Sequence, residues 1–301
     1  LYPTAQTHDL RVALRLQASA PISQTLYMRV LLDREIAQLM EDERAALKSS
    51  VAAGRIVLLT ETDSLAAHFM AHYGLSCHET ALCLPCSFFP SHTPANTASS
   101  PRSPTQHYRV GFLGGWRAEK GVEMLPQILR HLRRALGAAP NAPRVELIIQ
   151  KPAIRRKFKD YWKSARRTYA FHNATGWPVS DKLLSVSWVP ANLSKDAFTQ
   201  TLMSMDLLLV PYRLDDYRHR GSGIILDAVA ARKPIVYTRG MGMSEYLTHG
   251  NAEAAEETPE DYADKVVRVL SDIERYRAAA NLAAMEFDRR LGLAGSLLRA
   301  I

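Results

Sequence analysis

Cysteine is scarce in this chain, with three residues among 301. Cys77, Cys83 and Cys86 are odd in number and form no disulfide framework, so we expect a reducing compartment and a cytoplasmic protein. Cys83 and Cys86 have the spacing of a metal or redox pair, but no second pair completes the four ligands of a zinc site. We therefore expect no metal site, and instead buried thiols on a strand and its exit.

Long apolar runs are also missing. No segment of about 18 apolar residues occurs, which argues against a transmembrane helix, and the first residues do not form a charged-then-apolar signal peptide. Apolar residues make up 47% of the chain and charged residues 23%, which excludes disorder, collagen and coiled coil as global descriptions. The length predicts about two domains. Because the chain begins at Leu1 rather than methionine, we expect a fragment or a processed product.

The net charge of +8 is concentrated in one segment. Residues 151–167 contain eight basic residues against one acid, Asp160, which gives that segment +7. Its aromatic residues recur at helical spacing, which favours packing of one helix face over base stacking. We expect a helix at 154–169 with a solvated charged face. Peripheral contact with an anionic membrane, at its inner face, is the second interpretation, and we do not expect nucleic acid as a partner.

Strands and helices alternate along the chain. Apolar or alternating segments predict strands at 11–17, 55–60, 80–84, 108–113, 145–150, 184–188, 207–211 and 235–238. Three- and four-residue spacing predicts helices at 23–50, 64–73, 121–136, 154–169, 195–205, 222–231, near 244 and across 258–301. This order is typical of right-handed βαβ units in a parallel, doubly wound α/β sheet.

Residues 90–106 interrupt this order with Pro, Ser, Thr, Asn and Ala and no periodicity, so we expect an exposed linker. The predicted division is residues 1–90 as the first domain, 91–107 as the linker and 108–301 as the second domain. The first part is shorter than a full Rossmann-like domain, so we expect it to be incomplete.

The loop after the predicted strand 108–113 is the first candidate for chemistry, because open parallel sheets bind ligands at the carboxyl ends of their strands. Gly114 and Gly115 allow the backbone to come close to a ligand. Arg117 and Lys120 follow at a helix start, where positive side chains are unfavourable unless an anion is present. The pattern indicates a bound anion; the alternative is that both side chains point to solvent.

The loop after the predicted strand 207–211 is the second candidate. It ends in Gly221, Ser222 and Gly223, and we expect Ser222 to cap the next helix, whose free N–H groups form an anion site. Asp227 lies just over one turn into that apolar helix, where a buried carboxylate needs a partner. Ribose hydroxyls are one such partner, and a salt bridge is the alternative. The arginines considered for it are Arg220, Arg232 and Arg239.

Together the two loops predict a nucleoside-diphosphate site. Arg117, Lys120 and Arg220, with two helix N-termini, would hold the diphosphate, and Asp227 would hold the ribose. The glycine pair is not a dinucleotide fingerprint, because GxGxxG is absent.

Five stretches carry a family resemblance. They are FLGGWRAEKG at 112–121, DLLLVPY at 206–212, SGIILDA at 222–228, ARKPIV at 231–236 and GMGMSE at 240–245. In this order they resemble the C-terminal domain of the GT-B glycosyltransferases, family 4-like group. LLTETDSL at 58–65, on through Pro85 and Pro90, resembles the end of the N-terminal domain, so the resemblance covers residues 55–270.

The resemblance implies a GT-B fold of two Rossmann-like parallel-sheet domains, the N-terminal one incomplete here. It implies a glycosyltransferase whose donor is a nucleotide-diphosphate sugar, with no cofactor beyond that substrate. The residues implied to act on the diphosphate are Arg117 and Lys120. The residues implied to bind the rest of the donor are Gly114, Gly115, Arg220, Ser222, Gly223, Ile224, Asp227 and, for the base, Val189 in the segment 189–191.

The chain departs from the family at a pair of glutamates that the family often separates by seven residues. Asp227 replaces the second, and it is one methylene shorter, which predicts a looser ribose contact. His219 stands in place of the first. It either serves the donor sugar as a catalytic group or is an ordinary loop histidine.

The leading hypothesis is a metal-independent glycosyltransferase acting on a glycan, lipid-linked or small-molecule acceptor, with a retaining outcome implied by the family. Cations and helix N-termini would stabilise the leaving diphosphate. No DxD motif lies in a ligand loop, and the adjacent Asp215 and Asp216 point apart. The alternatives are a sugar-nucleotide epimerase or phosphorylase of the same architecture, and a nucleotide-sugar-binding protein without transferase activity.

Overall fold

The structure, a computed structural model, describes residues 1–19, 24–84, 107–138, 142–152 and 182–301. Within these residues it contains two parallel β-sheets, one of three strands and one of six. The predicted linker up to residue 106, the predicted basic helix at 154–169 and Cys86 lie outside the described residues.

The first sheet has the order β1-β2-β3 and is parallel throughout. Its strands are β1 (Tyr2–Ala5), β2 (Leu26–Val30) and β3 (Ile56–Leu59). The accompanying helices are α1 (Thr7–Ser19), α2 (Arg34–Ala37), α3 (Glu41–Ala52) and α4 (Asp63–Tyr73). Strand and helix residues such as Leu10, Met28, Ile36, Leu47 and Phe69 share one buried core. We call residues 1–84 the first unit.

Helix α4 shows how local sequence sets an element. Thr62 caps its N-terminus by accepting a hydrogen bond from the Leu65 N–H at 3.1 Å. Gly74 ends it in the left-handed region, with φ 62°, where glycine carries no steric cost. Both residues are of the types that begin and end helices, and the predicted helix at 64–73 is confirmed.

Two strand predictions in the first unit are wrong. Residues 11–17 belong to α1, because Leu10 and Ala13 recur at helical spacing on its buried face. Residues 80–84 are not a strand: the nearest pairing is a single bridge between Leu58 and Cys77. The alternation at 11–17 includes only part of the helix Thr7–Ser19. A pattern this short is compatible with either a strand or a helix, so it did not distinguish the two.

The predicted helix at 23–50 is also wrong in its first part. Residues 26–30 form β2, which pairs in register with β3 from Leu26 opposite Ile56 to Arg29 opposite Leu59. A helix does follow, as α2 and α3. The partner strand, rather than local periodicity, decides the structure of this segment.

The second sheet has the order β6-β5-β4-β7-β8-β9, and its pairs are parallel. Its strands are β4 (His107–Phe112), β5 (Arg144–Gln150), β6 (Leu184–Val189), β7 (Leu207–Val210), β8 (Ile235–Thr238) and β9 (Ala252–Ala255). The chain order reverses where β4 and β7 pair, which is the place where open sheets of this kind bind ligands. Residues 107–301 are the second unit.

Helices cover both faces of the second sheet. They are α5 (Leu125–Ala138), α6 (Lys195–Met203), α7 (Leu214–Tyr217), α8 (Gly223–Ala230), α9 (Pro259–Ser271) and α10 (Ile273–Ala300). The 3₁₀ turns Ala118–Lys120 and Gly242–Tyr246 also belong to the described part of this unit. Residues of α5 and α9 pack on one face of the sheet, and residues of α6 and α8 pack on the other. The helix predicted at 121–136 begins later, at Leu125.

Helix α10 returns to the first unit. Its Ala294 is buried against Leu59 and Leu82, with Leu297 packed at the edge of this cluster. The two units are therefore joined by an apolar contact as well as by the polar contacts described below. Within the described ranges, no helix has the length and apolar character needed to cross a membrane.

Candidate functional site

The two loops singled out in the sequence lie side by side. The first loop (residues 113–121) follows β4, the second loop (residues 211–222) follows β7, and these strands are neighbours. The Arg213 N–H of the second loop donates a hydrogen bond to the Glu119 carbonyl of the first at 3.0 Å. The structure therefore brings the two loops to one edge of the sheet, as the pocket hypothesis requires.

Three cations converge there, and we call Arg117, Lys120 and Arg220 the cation cluster. The Lys120 Nζ lies 5.1 Å from the centroid of the Tyr212 ring. The Arg220 Cζ lies 4.9 Å from the centroid of the Tyr217 ring, and the Arg117 Nη2 donates to the Tyr217 hydroxyl at 3.4 Å. The two tyrosine rings touch, with centroids 4.5 Å apart, so the three cations are arranged around one pair of tyrosine side chains.

The electrostatics of the cation cluster are unfavourable without an anion. Lys120 is only 7% exposed, and its burial lowers its pKa; the positive charges of Arg117 and Arg220 act in the same direction. Arg117 has a carboxylate partner, Glu119, at 3.1 Å. In the described part of the chain, neither Lys120 nor Arg220 has a carboxylate within salt-bridge distance. An anion bound here would supply the missing countercharge.

Two features favour glycine at position 114. Its φ is +105°, which side-chain-bearing residues rarely adopt, and a Cβ there would lie 2.4 Å from the Lys120 Nζ. A Cβ at Gly115, by contrast, would meet no atom within 4 Å. The first loop therefore packs against the lysine at one glycine and leaves open space beside the other.

Gln150, at the end of β5, was missed by sequence analysis. Its side-chain oxygen accepts from the Gly114 N–H at 2.7 Å, and its side-chain nitrogen donates to the Ala191 carbonyl at 2.8 Å. Its backbone carbonyl accepts from the Trp116 indole at 2.5 Å. Gln150 thus links the first loop to the segment after Val189, which the resemblance assigns to the base. The one sequence signal that could have identified Gln150 is its position at the carboxyl end of a predicted strand.

The N-terminus of α8 is arranged differently from the prediction. Ser222 occupies the N-cap position in extended conformation, but its side chain makes no capping hydrogen bond, so the expectation that it caps the helix is wrong. Because no side chain caps this end, the first N–H groups, including those of Gly223 and Ile224, are left to other acceptors. This favours an anion at the helix start.

Asp227 lies on the buried side of α8, with Leu226 and Ala228 as buried neighbours. Its side chain is 0% exposed. A ribose could reach this carboxyl group only after the surrounding residues move. The ribose-binding role of Asp227 therefore stays a prediction, and it now requires that residues around the carboxyl group move when the donor binds.

His219 points across to the first unit. Its Nδ1 lies 3.1 Å from the Ser64 Oγ, and its ring stacks on the ring of His68. Partial burial lowers the pKa of His219, and the neighbouring His68 lowers it further. A role of His219 toward a donor sugar stays a prediction, while its side chain contacts Ser64 and His68 of the first unit.

The turn that contains Gly242–Tyr246 also docks onto the first unit. The Glu245 carboxylate accepts from the N–H groups of Asp63 at 3.0 Å and Ser64 at 3.3 Å, at the N-terminus of α4. The Tyr246 hydroxyl donates to the Glu61 carbonyl at 2.6 Å. Sequence analysis predicted the turn but none of these contacts.

One protein family matches the chain. The profile described as glycosyl transferases group 1 matches residues 107–272, more than half of the 301 residues and including both loops. No curated protein matches the chain.

Solved structures resemble the chain closely in fold. Sucrose-phosphate synthase from Thermosynechococcus elongatus has 13% identity and a TM-score of 0.66, covering 99% of this chain and 73% of that one. HepE from Anabaena, in complex with UDP, has 12% identity and a TM-score of 0.67, covering 98% and 77%. The UDP-forming trehalose-phosphate synthase from Burkholderia xenovorans has 12% identity and a TM-score of 0.65, covering 98% and 71%. The predicted α/β fold with two parallel sheets is confirmed, and the first sheet is small, as an incomplete N-terminal domain would have it.

Proposed function

The chain belongs to the glycosyl transferases group 1 family and is a glycosyltransferase of GT-B fold, and from this premise we propose that its donor is a uridine diphosphate sugar. The cation cluster is the observation that supports the proposal, because a diphosphate supplies the negative charge that the cluster lacks. Structures of HepE contain UDP and UDP-glucose, which makes uridine the first base to test.

The diphosphate would lie between the first loop and the N-terminus of α8. Backbone at Gly115 is open to it, and uncapped N–H groups of α8 favour an anion. When the bond between sugar and diphosphate breaks, negative charge grows on the leaving group. Lys120 and the two arginines would stabilise that charge in a partly desolvated place, where such interactions are strong.

We propose that this stabilisation does not need a divalent cation, since three protein cations lie together where the leaving group would bind. A retaining outcome is part of the proposal and rests on the family resemblance. The coupling constant of the anomeric proton in the product, followed by NMR from the start of the reaction, distinguishes retention from inversion. Turnover that stops on addition of a chelator and returns with a metal ion would contradict the metal-independent step.

The test of the donor is a screen by calorimetry with UDP, other nucleoside diphosphates and uridine, followed by turnover of the sugar derivative of the nucleotide that binds. We expect UDP to bind and uridine to bind much more weakly, because the cluster would contact only the diphosphate. Turnover then separates transfer to an acceptor from isomerisation of the donor and from binding alone. A folded protein that binds no nucleoside diphosphate would refute the proposal.

A further inference from the structure

Glu61 is a buried carboxylate that no part of the proposed function uses. It follows β3 by two residues, at the carboxyl edge of the first sheet, and is 7% exposed. Burial raises its pKa, although the charge of Arg29 acts against that rise. Burying a carboxylate is unfavourable unless its contacts repay the lost hydration, so each contact of Glu61 is informative.

One carboxylate oxygen is held inside the first unit. The Arg29 Nη2 donates to the Glu61 Oε1 at 2.7 Å, and the two side chains are buried to a similar depth. Arg29 is itself fixed, because its Nε donates to the Leu82 carbonyl at 2.8 Å. The Glu61 side chain therefore has a defined orientation.

The other carboxylate oxygen, Oε2, lies against the backbone of the second unit at Gly221. A Cβ built on Gly221 would lie 1.3 Å from the Glu61 Oε2, so the carboxylate occupies the space that any side chain at Gly221 would need. Gly221 lies between Arg220 of the cation cluster and Ser222 at the start of α8. The Glu61 backbone is tied to the same unit by the Tyr246 hydroxyl.

We propose that Glu61 is a positioning residue of the donor site: through its contact with Gly221, the first unit sets the backbone that carries Arg220 and begins α8. This deepens the proposed function and rests on it. Because the contact crosses between units, the cation cluster has its full geometry only when the two units are packed together. Donor binding and packing of the units are then coupled.

Three substitutions separate the shape of Glu61 from its charge. Glu61→Gln keeps the length and an oxygen for Arg29, Glu61→Asp keeps the charge but withdraws the carboxylate from Gly221, and Glu61→Ala removes both. The control is Glu35→Gln, since Glu35 is a buried carboxylate of the first unit that accepts from Thr7, away from the second unit. Melting temperature is measured for each variant.

The first readout is hydrogen exchange of residues 218–224 without ligand, which does not depend on the donor. We expect faster exchange in Glu61→Asp and Glu61→Ala, and exchange close to wild type in Glu61→Gln and Glu35→Gln. Wild-type exchange in Glu61→Ala would overturn the proposal. Equal acceleration in Glu61→Gln and Glu61→Ala would also overturn it, because the pair with Arg29 would then be what matters.

The second readout is affinity for UDP and uridine. We expect Glu61→Asp to weaken UDP binding roughly tenfold, and uridine less, because a displaced loop moves Arg220. Failure of the wild-type protein to bind UDP would refute the proposed function. The role of Glu61 in positioning the second loop would then be tested by hydrogen exchange alone. UDP affinity unchanged in a folded Glu61→Asp protein would refute the positioning role alone.

A double variant tests the contact between Glu61 and Gly221 directly. Gly221→Ala places a methyl group against the Glu61 carboxylate and is expected to accelerate exchange of the second loop. Adding Glu61→Ala makes room for that methyl, so the double variant is expected to exchange more slowly than Gly221→Ala alone. Additive effects would show that the two residues do not depend on each other and would overturn the proposal.

Discussion

His219 and His68 stack their rings across the junction of the two units, with centroids 4.3 Å apart and planes at 21°. The His68 ring also lies against the His72 ring at a tilt of 33°, with centroids 4.0 Å apart, and the His68 Nε2 lies 2.7 Å from the Asp33 carboxylate. The charged and titratable groups that act on His219 are therefore His68, His72, Asp33 and Arg218. Burial lowers the pKa of His219 most, the nearby His68, Arg218 and His72 lower it further, and the Asp33 carboxylate acts against them.

This stack predicts that packing of the units depends on pH. The pKa of His219 is lowered in the folded protein from its usual value of 6.5, so the packed state favours the neutral ring. Its contribution is present above pH 6.5 and is lost as the pH falls through the lowered pKa. We expect the melting temperature to fall between pH 7.5 and 5 (roughly this window, from the ordinary histidine pKa), and to fall less in His219→Gln.

The control for the pH prediction is His8→Gln, because His8 is exposed on α1. Its profile is expected to match wild type. If His219→Gln also follows the wild-type profile, another group is responsible for the pH dependence.

Lys120→Ala is expected to weaken UDP binding by about 2 kcal/mol, the scale of a hydrogen bond to a charged group, while uridine affinity changes little. It should also lower turnover, since charge grows on the leaving diphosphate. Lys120→Arg should restore only part of both, because a planar guanidinium does not fit the site of a compact ammonium. Paired calorimetric titrations with UDP and uridine measure the difference.

Lys233→Ala is the matched control for Lys120. Burial also lowers the pKa of Lys233, to about 8, but its Nζ donates to the Met203 carbonyl, away from both loops. Its UDP affinity should equal that of wild type. Equal losses for UDP and uridine in Lys120→Ala would make that lysine structural and end the diphosphate hypothesis for the first loop.

Asp227→Asn is expected to keep the fold and to weaken donor binding by roughly 1.5–3 kcal/mol, through lost charge-assisted hydrogen bonds to ribose. Because Asp227 is fully buried, a ribose can reach it only if the residues around it move. Hydrogen exchange near α8 should therefore change when UDP is added. Affinity for 2′,3′-dideoxy-UDP should then be insensitive to the substitution. A folded Asp227→Asn protein with wild-type affinity for UDP would remove Asp227 from the ribose site.

Gln150→Ala should weaken UDP and uridine together. Gln150 ties the first loop to Ala191, so its loss is expected to displace both the diphosphate and the base contacts, in contrast to Lys120→Ala. Loss of its two side-chain hydrogen bonds should also cost about 1–3 kcal/mol of stability, seen in urea unfolding. A variant that weakens UDP but spares uridine would show that the link to Ala191 plays no part in binding.

Much of the second unit could be predicted from the chain alone. Strands β7 and β8 are short, largely apolar runs, whereas β4, β5 and β6 mix apolar with polar residues. Among the described residues, helices follow β4, β6 and β7. The glycine, lysine and arginine positions of the two loops could be found because parallel strands bring their carboxyl ends together. Local patterning was weaker for β9, whose sequence AEAA has little strand preference and which is a strand because it pairs with β8.

Sequence alone determined the alternating α/β order, the termini of helices such as α4, and the two loops that carry the cation cluster, because these depend on neighbours within a few residues. Tertiary structure decided that residues 26–30 are a strand, that Gln150 supports the first loop, and that Glu61 meets Gly221. It also turned His219 toward Ser64, 155 residues away. Contacts over such separations depend on which surfaces the two packed units present to each other, and no local periodicity records that choice.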